Sequence, residues 1–124
     1  MKKQIILIVE DERIIALDLR QKLRRLGYDV PGVAHNGTDA LSMAVELNPD
    51  LVLMDIVLEG DMDGIETARR MREHNDMPVI FVSACNDTST RNRALEAGLC
   101  GFISKPVEAG ELRACIESFL SRGE

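Results

Sequence analysis

Residues 51–64 read LVLMDIVLEGDMDG. The apolar run from Leu51 to Met54 has the length and character of a buried strand, and the next residue, Asp55, puts a carboxylate where that run would continue. Desolvating a lone ionised carboxylate costs several kcal/mol or more unless it is paired or meets a metal. Either Asp55 closes its strand and faces a crevice, or the strand reading is wrong. The rest of the chain decides between these.

Similar short apolar runs recur on both sides: IILIV at 5–9, PVIFV at 78–82 and a weaker GFIS at 101–104, with a marginal fifth at 30–34. Segments of helical period separate them. Ile15, Leu19, Leu23 and Leu26 share one face before Gly27, a helix stop. Leu41, Ala44 and Val45 mark a second helix before Asn48-Pro49, and Ile65, Ala68 and Met71 a third. A short polar helix is expected over 89–97, ended by Gly98. Leu112, Cys115, Ile116, Phe119 and Leu120 follow the i, i+3, i+4, i+7, i+8 spacing of an amphipathic helix. Short doubly buried strands alternating with helices imply a parallel sheet covered on both faces, an open α/β fold.

At 124 residues the chain has the size of one domain. A net charge of −6 and 3% aromatic residues (Tyr28, Phe81, Phe102, Phe119, no Trp) argue against direct nucleic-acid binding, which needs a basic surface and stacking platforms. The N-terminal apolar run stops after five residues at Glu10-Asp11-Glu12, which fits a strand rather than a signal peptide, and no segment approaches a membrane span. Cys85, Cys100 and Cys115 are odd in number and lack C-x-x-C spacing, so reduced thiols in a cytoplasmic protein are expected.

In open parallel sheets ligands bind beyond the carboxyl ends of the strands. The first run ends in Glu10-Asp11, the third strand in Asp55, the fourth in Ser83 and the fifth in Lys105-Pro106. All the polar groups therefore fall on one edge, and Asp55 shares a crevice with Asp11 and Glu10. Crowded carboxylates repel, and a divalent cation relieves them; hard oxygen donors favour Mg²⁺ or Mn²⁺. Carboxylates, metal, the Ser83 hydroxyl and the Lys105 ammonium together make a cradle for a phosphoryl group.

The segments ILIVEDE, LVLMDI, FVSA and GFISKP, in this order and spacing, resemble the response-regulator receiver domain of two-component signalling, the CheY-like family, from Ile5 to about Leu120. The resemblance implies a five-stranded sheet in order 2-1-3-4-5 with five helices on both faces, flavodoxin-like, and one receiver over residues 1–124 with no effector domain in this chain. It implies that Asp55 accepts a phosphoryl group from a kinase phosphohistidine. Asp11 is then the direct ligand of Mg²⁺ (or Mn²⁺), Glu10 a ligand through water, and the backbone carbonyl of Val57 completes the protein's share. Ser83 and Lys105 bind phosphoryl oxygens, and the Lys105-Pro106 peptide is expected to be cis.

Phe102 takes the place of the aromatic switch residue that moves with Ser83, working through packing because it lacks a hydroxyl. By the same resemblance, the responsive face is expected to be the fourth helix, fifth strand and fifth helix, which is also the candidate surface for a homodimer. Implied partners are a histidine kinase or phosphotransfer protein and a downstream effector domain or protein, all cytoplasmic, with no membrane and no direct nucleic-acid contact.

The family's loop after the acceptor is one residue shorter and carries a proline. Here it reads Leu58-Glu59-Gly60-Asp61-Met62-Asp63-Gly64, and Gly60 is expected to absorb the insertion through a positive φ. Glu59 and Asp61 add acid near the pocket. His35 and His74 are read as surface residues, Cys85 as a small buried filler near the pocket, and Arg69, Arg70, Arg72, Arg91 and Arg93 as solvated helix faces. Three other functions compete. A haloacid-dehalogenase-type phosphohydrolase needs a second acid where Val57 stands. A receiver-like scaffold that is never phosphorylated has no need of the Asp11, Asp55, Ser83 and Lys105 quartet. A flavin site would need small residues where this chain has EDER. A receiver modifies only its own Asp55, so an enzyme with an external substrate is not expected.

Overall fold

The computed structural model describes residues 3–74, 76–84, 88–96 and 100–120. Strands and helices alternate throughout: β1 (Ile6–Val9), α1 (Arg13–Arg25), β2 (Val33–Ala34), α2 (Gly37–Leu47), β3 (Leu51–Asp55), α3 (Gly64–Arg72), β4 (Val79–Ser83), α4 (Thr88–Glu96), β5 (Cys100–Ser104) and α5 (Ala109–Leu120). The five strands pair in parallel in the order β2-β1-β3-β4-β5, as expected.

The period-2 alternation of each strand divides the core in two. Leu7, Val9, Val52, Met54, Val79 and Phe81 face α2, α3 and α4 through Ala40, Ala44, Ile65, Ala68, Met71 and Ala94. Ile6, Ile8, Leu51, Leu53, Ile80, Val82 and Ile103 face α1 and α5 through Leu19, Leu23, Leu112 and Ile116. Both faces of the sheet are thus covered, which is why the strands read as continuous apolar runs. The marginal fifth run holds only a two-residue edge strand, fastened by the pairs Ile8 with Val33 and Val9 with Ala34.

Helix ends follow local chemistry. Gly27, at φ +99°, lets the Tyr28 amide fold back to the Leu23 carbonyl at 3.1 Å and close α1. Asn36 and Asp63 cap α2 and α3 by accepting from the Asp39 and Glu66 amides at 2.8 and 2.9 Å. Asn48 ends α2 in the left-handed region, just before Pro49. The expected stripe of α2 needs one correction: Val45 is 70% exposed, and the buried positions are Gly37, Ala40 and Ala44. Small side chains let α2 lie close against the sheet and α3, leaving Val45 off the contact line. In α5, Leu112 and Ile116 are buried while Cys115, Phe119 and Leu120 are partly so. The expected end of the fourth helix at Ala97 and Gly98, like Cys85, lies outside the described residues.

Candidate functional site

The register of the sheet assembles the site. Val9 pairs with Met54, so Glu10 comes level with Asp55, which itself pairs with Val82; Ser83 pairs with Ser104, just before Lys105. Glu10 and Asp55 continue the α1/α5-facing rows of their strands past the last apolar residue. Both are buried, at 0% and 5% exposure. The strand reading of 51–55 therefore holds, and Asp55 is the residue that closes it.

Lys105 connects the two acids. Its Nζ donates to Glu10 Oε1 at 2.9 Å and to Asp55 Oδ2 at 3.2 Å. The Lys105 backbone amide donates to the Ser83 carbonyl at 3.0 Å, and the Lys105-Pro106 peptide is cis. Asp55 Oδ1 accepts from the Val57 amide at 3.3 Å, and Glu10 Oε2 from the Glu12 amide at 3.1 Å. Ser83 is 1% exposed at the end of β4.

Carboxylate oxygens of Glu10, Asp11 and Asp55 lie within 4.8 Å of one another. Burial, reinforced by the neighbouring Asp55, pushes Glu10 up to about 7 despite the opposing pull of Lys105. Burial works against the Lys105 ammonium too, but Glu10 and Asp55 outweigh it and raise its pKa. Glu10 and Asp55 thus share one ammonium with Asp11 close beside them, and the strain of charge falls on Glu10. A set of hard oxygen donors with unrelieved negative charge is the donor chemistry that a Mg²⁺-type ion takes.

Residues 6–117 match the family model of the response regulator receiver domain. The chain belongs to that family. This receiver is 41% identical to the signal receiver domain of a modulated diguanylate cyclase from Desulfovibrio desulfuricans G20, with a TM-score of 0.91 over 98% of this chain and 96% of that one. It is 37% identical over 98% of its length to the probable transcriptional regulator ycf27 of Porphyridium aerugineum. It is also 37% identical over 96% of its length to the transcriptional regulatory protein AfsQ1 of Streptomyces coelicolor. The receiver spans about half the length of these two curated relatives, 50% and 52%. Membership places it among regulatory domains that turn over no external substrate. No helix among the described residues is long and apolar enough to cross a membrane.

Val57, 65% exposed, stands at the mouth of the site. Gly60 has the expected positive φ, +107°. Phe102 is half-buried on β5 against the α2/α3/α4 core, and its ring carries the Arg91 guanidinium 4.9 Å from the centroid. Arg91 is therefore not simply solvated, and neither is Arg93, which donates to Asp63 Oδ2 at 2.9 Å. His74 is exposed, but His35 is half-buried, its Nδ1 2.9 Å from the Glu10 carbonyl oxygen. The expected strand order carried a signal for that contact, because the strand ending at Ala34 neighbours the one ending at Val9.

Proposed function

We propose that the chain is a phosphorylation-controlled switch of a two-component phosphorelay in which Asp55 is the phosphoryl acceptor. The observation that carries this reading is the buried Asp55 carboxylate, held at the carboxyl edge of β3 by Lys105 and beside Glu10 and Asp11. In the reaction an Asp55 carboxylate oxygen attacks phosphorus in line. The new O–P bond forms as the P–N bond to the donor's imidazole breaks, and the leaving imidazole keeps the electron pair and takes up a proton. Asp11, Asp55 and the Val57 carbonyl, with Glu10 through water, would hold Mg²⁺ (or Mn²⁺), which when bound neutralises charge on the phosphoryl oxygens. The Lys105 ammonium transfers from the Asp55 carboxylate to a phosphoryl oxygen, and the Ser83 hydroxyl donates to another.

Ser83 sits on β4 beside β5, so its movement toward the phosphoryl group changes the space open to Phe102 and re-sets the face of α4, β5 and α5. That face is the proposed output and self-association surface. The phosphodonor is a histidine kinase or phosphotransfer protein, and the cell compartment is the cytoplasm. Residues 1–124 act as one receiver unit; the relatives' names, two transcriptional regulators and a diguanylate cyclase, fit an output module distinct from it.

Intact mass after incubation with acetyl phosphate and Mg²⁺ tests the reading, with Asp55→Asn beside the wild type. One phosphoryl adduct that needs Mg²⁺ and vanishes in Asp55→Asn is expected. No adduct, where a control receiver labels, would leave a scaffold that binds partners without being phosphorylated.

A further inference from the structure

We infer that His35 is a positioning residue for the acidic cluster: its imidazole clamps the Glu10–Asp11 peptide and holds the Arg13 guanidinium away from Asp11. The inference rests on the cation-binding reading of Glu10, Asp11 and Asp55. His35 follows the last residue of β2 and makes two contacts with the β1–α1 turn. Nδ1 lies 2.9 Å from the Glu10 carbonyl oxygen, and Nε2 lies 3.3 Å from Arg13 Nη1. A guanidinium can only donate. Nε2 must then accept, so Nδ1 carries the proton and donates to the Glu10 carbonyl.

The Glu10 carbonyl and the Asp11 N–H belong to one planar peptide unit. Fixing that carbonyl fixes the plane from which Asp11 projects. The Glu10 amide is already tied to the Ala34 carbonyl at 2.9 Å, so β2 and its following residue grip Glu10 from both sides of its Cα. Glu10 is thereby locked on the strand, and Asp11 is presented from a rigid mount. The second contact acts on charge. Arg13 stands two residues past Asp11, and an ion pair between them would neutralise a donor of the cluster. Among the described residues Arg13 forms no ion pair with a carboxylate; its guanidinium is bonded to His35 instead.

Three variants separate the two effects: His35→Ala removes both contacts, His35→Asn keeps a donor near the place of Nδ1, and His35→Gln reaches the place of Nε2. Mg²⁺ affinity is measured by isothermal calorimetry, with urea denaturation run alongside to detect general loss of stability. Partners that orient metal ligands typically contribute 10- to 100-fold in affinity, and His35→Ala is expected to weaken Mg²⁺ binding by about 10-fold. His35→Asn recovers most of the loss, and Arg13→Ala placed in the His35→Ala background recovers part of it. Side-chain ¹⁵N spectra of the metal-free wild type at fixed pH show His35 protonated at Nδ1.

The inference is overturned if His35→Ala binds Mg²⁺ within about twofold of the wild type, if His35→Asn is no better than His35→Ala, or if the proton is on Nε2. A wild type that takes up no Mg²⁺ overturns the cation-binding reading as well. A wild type that binds, matched by His35→Ala, overturns the role of His35 alone.

Discussion

Gly64→Ala is expected to damage the end of β3 through a single methyl group. Gly64 opens α3 directly against the end of β3, with its amide donating to the Ile56 carbonyl at 2.7 Å. A Cβ built at Gly64 overlaps the Asp55 carbonyl oxygen and lies 2.8 Å from both the Asp55 carbonyl carbon and Ile56 Cα. All three obstacles are backbone, so no side chain can swing aside. Overpacking of this kind costs about 1–3 kcal/mol, and weakening the Gly64–Ile56 hydrogen bond adds about 1 kcal/mol. Alanine's better helix propensity returns about 1 kcal/mol. The net loss is about 2 kcal/mol, a large share of the roughly 5–15 kcal/mol of a domain.

Urea denaturation followed by circular dichroism reads this directly, and the rate of Asp55 phosphorylation should fall with it because the carboxylate shifts with its own peptide. Gly110→Ala, where a Cβ meets nothing within 4 Å in α5, serves as the control. It is expected to stabilise by about 0.5–1 kcal/mol. A Gly64→Ala protein within about 0.5 kcal/mol of the wild type would refute the close approach of α3 to Asp55.

Lys105→Met is expected to cost the metal-free domain about 3 kcal/mol in urea denaturation, since it leaves two buried carboxylates without their shared cation; a loss that Mg²⁺ does not reduce would count against a cation at this cluster. Arg91→Ala should cost about 0.5–1 kcal/mol, and a double-mutant cycle with Phe102→Leu should show that coupling; a cycle that closes at zero would mean the arginine only lies near the ring. Asp63 gives a pH test. Burial raises its pKa, but the Glu66 amide and Arg93 outweigh that and leave it lowered. Its contribution is thus present above the unfolded value near 4 and lost as pH falls through the folded one. Asp63→Asn, which keeps a capping side chain, should trail the wild type by about 0.5 kcal/mol at pH 7 and match it in strong acid, as compared by denaturation at the two pH values.

The strands were legible because a parallel strand covered on both faces must be apolar throughout, and Asp55, Glu10-Asp11, Ser83 and Lys105 stood out as the polar ends of such runs. β2 was faint for a physical reason: two residues on a sheet edge need little apolar sequence, and pairing with Ile8 and Val9 carries them. On α2, Leu41 and Ala44 do lie on the packed face; only Val45 falls off it, because close packing there selects small side chains such as Ala40 over a larger hydrophobe. The contacts of His35 with Glu10, Arg91 with Phe102 and Arg93 with Asp63 join segments 11 to 30 residues apart. Charged and aromatic side chains at such separations carry no periodicity, so only the neighbour order of strands and helices brings them into view.

The most direct measurement is the position of the phosphoryl group. The domain is treated with acetyl phosphate with and without Mg²⁺, reduced with borohydride, which converts an aspartyl phosphate to homoserine, and mapped by peptide mass. The account predicts Mg²⁺-dependent conversion at residue 55 alone. Conversion at Asp11, Asp61 or Asp63 instead, or at residue 55 equally well without any divalent cation, would contradict it.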